Sequence, residues 1–359
     1  MNVDQDFKGV SIVIPNWNGK KLLADYFDSV IKAAEFYREH SGSNVEVIVV
    51  DDASTDGSRE WLSDNFAGHA FVRIIELETN VGFLRAVNHG FAHAKYPIVF
   101  LLNNDVSVEH DSIMPLVGHF EDERVFAVCC RADRIVSGRL DGGGKLGSFE
   151  RGHWRVFLNY EIAPNAAELE HIEYYSFYGS GGYTAYDREK LTILGGFQDC
   201  LAPIYWEDVE ICYRAWKRGW VVKYEPQSGV HHLGSATMGK EKMRSEMAVI
   251  TERNRLIMTW INLHDRRWMA AHIFLVLMKS AGSLLTFRLT FLKSLFGALS
   301  RFTAIQRARH IERNSAKMSD RWLAEMFADL ALQKNIFIVR DIEDERKLAD
   351  LRKNLPDLV

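Results

Sequence analysis

The sequence predicts an α/β fold, with a mostly parallel sheet flanked by helices over residues 1–240 and a helical region over 241–359. Three observations predict it. Short apolar runs alternate with stretches of helical period through the first hundred residues. Each of those runs ends in a small polar cluster. From about residue 240 onward the apolar residues recur mostly at helical spacing.

The elements follow in order. "VSIVIP" is a short apolar strand that stops at Pro15. Residues 20–40 set Leu22, Leu23, Tyr26, Phe27, Val30, Ile31 and Ala34 at helical spacing. "VEVIVV" predicts a second strand, "SREWLSDNF" a short helix, and "FVRIIEL" a third strand. Gly82 to Ala94 predict another helix, and "PIVFLL" a fourth strand. Strands alternating with helices pair in parallel through right-handed crossovers, and near-continuous apolar runs mean that both sheet faces are covered. Beyond residue 125 the pattern loosens. "LDGGGKLG" reads as a flexible turn or loop, and "YGSGGYTAYDREKL" as a loop leading into a strand and a helix. Residues 207–218 read as a helix closed by Gly219, and "WVVKYEP" as a strand ending before Pro226. "SDRWLAEMFADLALQKN" predicts a further helix, and the charged stretch "RDIEDERKLADLRKNLPDLV" a solvated one.

Composition excludes several classes. Hydrophobic residues make up 47% of the 359, which excludes a disordered chain and supplies a sizeable core. A net charge of −4 lacks the basic excess of a general nucleic-acid binder, so no nucleic-acid partner is expected. Cys129, Cys130, Cys200 and Cys212 form no CxxC pair, which suits a reducing cytosol; Cys129–Cys130 reads as buried strand. "MNVDQDFKGV" lacks the pattern of a signal peptide. No apolar run reaches the roughly 18 uncharged residues of a spanning helix. The expectation is a cytoplasmic protein, soluble or peripheral on the inner face of the cell membrane.

In sheets of this kind ligands bind beyond the carboxyl ends of the strands. Here the four ends carry Asn16–Asn18, Asp51–Asp52, Asn80 and Asn103–Asp105. Turn formation alone accounts for one such cluster; four in register predict a binding site. There is no GxGxxG after the first strand and no GxxxxGK[ST], so a bound phosphate would be offset by a divalent cation on carboxylates. Asp105 is the candidate ligand, with Asn104 beside it able to bond a sugar hydroxyl. Asp51 and Asp52 precede a helix that Ser54, Thr55 or Asp56 caps, and one of the two is a candidate acceptor for a nucleobase N–H. Glu207 and Asp208 open a helix, where the helix dipole alone favours carboxylates. Tyr205 and Trp206 before them are flat rings of the kind that line sugar-sized pockets, and a carboxylate held there is a candidate general base. Both accounts of that pair stand on the sequence. His89, His93, His110 and His119 read as surface or packing residues.

The order of motifs resembles family 2 of the inverting, nucleotide-sugar-dependent glycosyltransferases, whose fold is called GT-A. The marks are "VSIVIPNWNG", "VIVVDDASTDGS", "ETNVGFLRAVNHG", "IVFLLNNDV", "GGFQDCLAPIYWEDVEICYRAWKRGW" and "VHHLGSAT", over residues 10 to about 238. Within the family the chain is most similar to the rhamnosyltransferase-like branch of bacterial surface polysaccharide synthesis in the cell envelope. The resemblance implies a metal-dependent hexosyltransferase working by single displacement. Pro15 and Trp17, with Asn16 between them, would line the nucleobase site, and Asp52 would accept from the base. Asn80, Gly82, Arg85 and Asn88 fall in the family's segment near the donor. Asn103, Asn104 and Asp105 stand at its D-x-D-like element, with Asp105 binding Mg2+ or Mn2+. Asp208, paired with Glu207, would be the catalytic base. His232 resembles a histidine that closes over metal and diphosphate, and His231 competes for that role. The implied partners are a dTDP- or UDP-linked sugar, with rhamnose favoured by the branch, and a glycan or lipid-linked acceptor. The chain departs from the pattern in having only Asp105 acidic in the metal motif, and Gln198 where relatives often carry Asp. Two rivals remain on the sequence: a non-catalytic sugar-nucleotide or glycan binder on the same scaffold, and a sugar-phosphate nucleotidyltransferase, for which "PNWNGKK" is a poor match.

Residues 265–313 mix Trp268, Phe274, Leu277, Phe287, Phe291 and Phe296 with Arg266, Arg267, Lys279, Arg288, Lys293, Arg301, Arg307 and Arg309, without one acidic residue between Asp265 and Glu312. This reads as a basic amphipathic helix pair suited to an anionic membrane surface. A helical hairpin packed on the catalytic part or on a second subunit, as a homo-oligomer, fits the same pattern.

Overall fold

A computed structural model describes residues 8–162, 174–234 and 241–353, and the counts below are of those residues. The first half alternates as the periodicity predicts: β1 (Val10–Asn16), α1 (Lys20–Ser41), β2 (Val45–Asp51), α2 (Ser58–Phe66), β3 (Val72–Glu76), α3 (Phe83–His93) and β4 (Ile98–Leu102). Along β1, β2 and β4 every residue is buried, because α1 covers one face and α3 the other. α3 lies so close that a Cβ on its Gly90 would come within 2.2 Å of Val13 Cγ1. β3 is only half-buried, as befits the sheet's edge.

The second half holds β5 (Val106–Val108), α4 (Ile113–Gly118), β6 (Val125–Arg134), β7 (Leu140–Gly142), β8 (Gly144–Glu150), β9 (His153–Ile162), β10 (Tyr183–Asp187), α5 (Arg188–Leu194), α6 (Glu207–Lys217) and β11 (Val221–His232). Among the described residues the main sheet has nine strands in the order β3-β2-β1-β4-β10-β6-β11-β5, with β7 beside β6. The expected parallel arrangement holds for β3, β2, β1 and β4; beyond β4 the sheet is mixed. The reason is local. Tyr183 at the start of β10 pairs with Leu102 at the end of β4, so the chain enters β10 at the end where β4 leaves and must run antiparallel.

Two sequence expectations are corrected here. "LDGGGKLG" is not a loop: it forms β7 and the start of β8. Its glycines make room for aromatic rings, since a Cβ on Gly142, Gly144 or Gly147 would lie 2.0–2.3 Å from Tyr183, Tyr160 or Phe177. β11 does not end before Pro226 but continues to His232, with Pro226 inside an irregularity where the pairing to β6 jumps from Glu225 to Gly229. A missing N–H is tolerated at such a bulge.

The C-terminal region comprises α7 (Glu241–Asn262), α8 (Arg266–Leu285), α9 (Thr290–Leu299), α10 (Phe302–Ser315), α11 (Asp320–Ala331), β12 (Ile336–Val339) and α12 (Ile342–Lys353). β12 extends a small sheet with β9 and β8. Buried charges tie this region to α6. Asp320 accepts from Tyr213 Oη (2.6 Å) and Lys217 Nζ, and Arg218 pairs with Glu312. Lone charges buried there would be costly, and each has its counter-ion. Of the basic residues read as one amphipathic face, Arg266, Arg267, Arg288 and Lys293 are exposed and three others meet protein groups. Lys279 pairs with Glu252, Arg301 donates to the Gly297 carbonyl four residues back, and Arg309 donates to the Trp260 and Leu263 carbonyls, each remaining partly exposed. α8 is long and apolar enough to cross a membrane by length and composition, although the sequence shows no wholly uncharged run of that length.

Candidate active site at the end of the parallel strands

The site is built where β4, β10, α6 and β11 meet. The Asn103 N–H, just past β4, donates to the Gly182 carbonyl (2.9 Å). The adjacent Gly181 N–H donates to Asp208 Oδ2 (3.1 Å) in the first turn of α6. One glycine pair therefore joins the end of β4 to the α6 carboxylate. Gly182 leaves no room for a side chain without moving Asn103, since a Cβ there would lie 2.7 Å from Asn103 Nδ2.

On the β4 side, Asp105 leads into β5, and β5 pairs with the end of β11 so that Val106 faces His232. This register sets His232 Nε2 3.4 Å from Asp105 Oδ2. The other ring nitrogen, Nδ1, donates to Asp141 Oδ2 (2.7 Å), which fixes the ring's aim. Burial pushes the His232 imidazole down, but Asp105 and Asp141 outweigh it and raise its pKa to about 9. His231 points elsewhere: its side chain is 43% exposed and meets Glu109 at 3.3 Å. Successive strand residues face opposite sides, so only one of the two histidines can reach Asp105. The rest of the "HLGSAT" segment, from Ser235, lies outside the described residues.

Asp105 is buried, yet its Oδ1 has no hydrogen-bond partner among the described residues. The same holds for Asn103 Oδ1. Among the described residues no set of three or more His, Cys, Asp and Glu gathers to hold a metal alone. Asp105 Oδ1 is instead an oxygen donor with open capacity, and His232 Nε2, which faces the same carboxylate, becomes a nitrogen donor once a bound cation displaces its proton. That fits Mg2+ or Mn2+, which commonly take one or two protein carboxylates and complete their shell with phosphate oxygens and water.

On the α6 side, Asp208 is partly exposed and Glu207 is buried. Burial raises the Asp208 pKa against the opposing N–H groups of Val209 and Gly181 and the Lys145 ammonium. Burial, and then the Asp208 charge, raise Glu207 to about 8. Glu207 Oε2 has no partner among the described residues. The turn before the pair is strained, with Tyr205 at φ 77 and Trp206 at φ 70, both in the left-handed region that favours glycine. α7 holds it there. The buried Asn254 amide donates to the carbonyls of Leu201 (2.6 Å), Ile204 (2.9 Å) and Tyr205 (2.8 Å), and Arg253 donates to the Ala202 carbonyl (2.7 Å). Trp206 packs edge-on against Phe157 of β9 at 5.6 Å.

The donor-side candidates divide into surface and support. Trp17 is 56% exposed beyond β1, whereas Pro15 and Asn16 are buried. Asn16 donates to Asp51 Oδ2 (3.0 Å) and accepts from Asn104 Nδ2 (2.8 Å), so it links two strand ends. Arg59, Ser54 and Asn16 hold Asp51 below the usual carboxylate range despite its burial. Asp52 Oδ1 and Oδ2 accept from the Val81 (2.7 Å) and Gly82 (2.9 Å) N–H groups, and Asn80 donates to the Asp52 carbonyl (3.2 Å). Asp52 thereby shapes the 80–82 loop. Arg85 makes a two-pronged pair with Asp199 (2.7 and 3.0 Å), which ties that loop's helix to the turn before α6. Asn88 does not join this group: its amide is used on both backbone groups of Phe197.

Asp141, Lys145 and Asn254 were missed by sequence reasoning. Asp141 and Lys145 lie in the glycine-rich stretch read as a loop, and Asn254 sits within a helical period that carries no site signal. The one clue was the buried-strand character that three glycines concealed.

Comparison with known proteins bears on the family and the fold. The family model described as "Glycosyl transferase family 2" matches residues 11–192, just over half of the 359 residues. A putative polypeptide N-acetylgalactosaminyltransferase 9 of Drosophila melanogaster is 26% identical over 233 residues, covering 62% of this chain and 35% of its own length. A poly-beta-1,6-N-acetyl-D-glucosamine synthase of Staphylococcus epidermidis is 23% identical over 258 residues, covering 67% of this chain and 54% of its own length. The chain thus spans about a third of the first relative and about half of the second. Among solved structures, GalNAc-T7 with UDP, GalNAc and Mn2+ superposes with a TM-score of 0.63 at 21% identity, covering 92% of this chain and 59% of that one. A mixed α/β sheet shared with that structure, and a family match over residues 11–192, lead to one conclusion: the chain has the GT-A fold and belongs to glycosyl transferase family 2.

Proposed function

We propose that the chain is an inverting glycosyltransferase that moves a sugar from a nucleoside-diphosphate donor to a hydroxyl of a glycan or lipid-linked acceptor. The observation that carries this reading is the Gly181–Gly182 link, which joins the partly exposed Asp208 carboxylate to the end of β4, just before Asp105 and the His232 ring that β11 sets against it. Residues 1–240 carry the transfer, and 241–359 support and locate it.

The donor lies across the strand ends with its base near Trp17 and its diphosphate toward Asn104, Asp105 and His232. Asp105 Oδ1 and His232 Nε2 would hold Mg2+ or Mn2+, which when bound offsets diphosphate charge and makes it a better leaving group. Asp208 accepts the proton of the acceptor hydroxyl as that oxygen bonds to the anomeric carbon. The bond from the anomeric carbon to the diphosphate oxygen breaks with its electron pair on the diphosphate. One displacement inverts the centre. A glycoside hydrolase needs an acid as well as a base at the bond it cleaves; a diphosphate leaves as an anion and needs none. Asp141 orients His232, and the Asn254 clamp keeps Asp208 aimed at the acceptor.

The branch that the sequence resembles favours dTDP-rhamnose, whereas the relatives' names point to N-acetylhexosamine donors. A thermal-shift panel of dTDP-rhamnose, UDP-GalNAc and UDP-GlcNAc, with and without Mn2+ or Mg2+, discriminates among them. The true donor stabilises the fold by mass action, by about 2.7 kcal/mol at a hundredfold excess over Kd, and so raises the melting temperature. Release of nucleoside diphosphate on adding acceptor then identifies transfer. A panel in which no nucleotide sugar shifts the melt under any metal condition overturns the reading.

Asn254→Ala should lower kcat by roughly a hundredfold, the scale of a misplacement of about 1 Å at the reacting groups. Donor affinity should hold, because Trp17, Asp105 and His232 lie on other segments. Steady-state kinetics beside the donor thermal shift checks this: equal losses in both would make Asn254 a general stabiliser instead.

A further inference from the structure

The outward face of α8 is apolar from one end to the other. Ile273, Phe274, Leu277, Met278, Leu284 and Leu285 recur at helical spacing and are 51–81% exposed. The stripe continues over the following turn, where Phe287 is 87% exposed, and onto Phe296 of α9 at 69%. A monomeric protein in water rarely leaves so long an apolar stripe open. The inner face of the same helix is fastened to the protein. Trp268 stacks on Phe149 with 4.4 Å between centroids, the His272 ring N–H donates to the Gly152 carbonyl (2.7 Å), and Lys279 bonds Glu252 (3.1 Å). Of α8 only His272 and Ser283 are buried, but its inner side is pinned to the protein through Trp268, His272 and the Lys279–Glu252 ion pair, an anchoring that suits a helix lying along a surface.

Charge says which surface. Arg266 and Arg267 stand exposed at the start of α8, and Arg288 and Lys293 at its far end. No acidic residue occurs between Asp265 and Glu312, although the whole chain carries a net −4. The basic groups thus bracket an apolar stripe about 30 Å long, the length of a 20-residue helix. Cations at the rim and apolar side chains between them match anionic headgroups over acyl chains. We propose that α8, the turn after it and α9 form a docking face for an anionic lipid bilayer, with α8 sunk lengthwise into the interface. β9 connects this face to the candidate active site, since its Trp154 packs on Trp268 of α8 at 5.8 Å and its Phe157 on Trp206 at 5.6 Å. Those two β9 residues are about 10 Å apart along the strand and face opposite sides of it, Trp154 buried toward α8 and Phe157 exposed beside Trp206.

The test is flotation of the full chain with vesicles of phosphatidylcholine alone or mixed with phosphatidylglycerol. The expected result is recovery with the anionic vesicles at low salt, falling several-fold at high salt as headgroup attraction is screened, and little recovery with neutral ones. Arg288→Glu with Lys293→Glu, and separately Phe274→Ser with Leu277→Ser and Phe287→Ser, should each cut recovery several-fold. Circular dichroism and the melting temperature, which need no knowledge of the donor, show that these variants fold. Absence of recovery with anionic vesicles at low salt overturns the proposal. So does recovery that the Arg288/Lys293 reversal leaves unchanged, and so does a stable dimer that ignores vesicles and that the Phe274 set dissociates. Each outcome is read without an activity assay, so failure here is distinct from failure of the transferase reading.

Discussion

Asp208→Asn folds, binds donor with metal, and loses transfer by about 10²–10⁴-fold, the usual contribution of a general base. The substitution keeps the side chain's shape and its place in the first turn of α6, so Tm and the donor thermal shift stay close to wild type. The pH profile adds an independent reading. A base works only when deprotonated, so transfer falls as pH drops through the Asp208 pKa. Burial raises that pKa, so the acidic limb of kcat/KM lies above the ordinary aspartate range. Glu207 keeps its proton to higher pH, its carboxyl being pushed up to about 8. It is already neutral when Asp208 titrates, so Glu207→Gln leaves the acidic limb where it was and retains most of the transfer. Near-normal turnover by Asp208→Asn would sink the role assigned to Asp208, and an acidic limb moved by Glu207→Gln would assign the titration to the pair.

Asp105→Ala removes the metal's effect on donor binding. In the wild type the thermal shift from donor should grow on adding Mn2+ or Mg2+ and shrink with EDTA. In the variant, Asn103 and Asn104 are neutral and weak ligands for a hard cation, and His232 loses the carboxylate 3.4 Å away. Donor binding then becomes metal-independent and transfer falls to background. His232→Ala should weaken the same metal response less, because it removes a nitrogen donor and leaves the carboxylate. Wild-type transfer indifferent to EDTA would mean that the Asp105–His232 pair serves another purpose.

The relation between sequence and site differs among the residues involved. Asp105 and Asp208 were legible as candidates because each stands at the end or start of an element that its own neighbourhood defines: "IVFLL" before one, "VEICYRAW" after the other. Asp52 was legible as a polar residue at a strand end, but its bonds to the Val81 and Gly82 N–H groups depend on how the 80–82 loop returns to β2. Asn88 fell within the resemblance yet is spent on Phe197, a contact between α3 and the segment after α5 that no local pattern announces. The glycines of "LDGGGKLG" carried a misleading local signal. They read as turn formers, whereas the rings of Tyr183 and Tyr160 from other strands, and of Phe177 from the segment before β10, require them inside a sheet.

By itself, then, the sequence determined the alternation of β1 to β4 with their helices, the polar strand ends, the helix of α6 and the helical character beyond residue 240. Each rests on periodicity or on a residue's effect on its own backbone, which neighbours in the chain suffice to set. Only the tertiary structure decided that the sheet turns mixed after β4, that β11 runs on past Pro226, that His232 and not His231 faces Asp105, and that Asp141 and Asn254 hold the pieces in place. These depend on strand register and on contacts between segments far apart in the chain. A one-residue slip in β11 would exchange the two histidines while leaving every local propensity untouched, because side chains alternate faces along a strand.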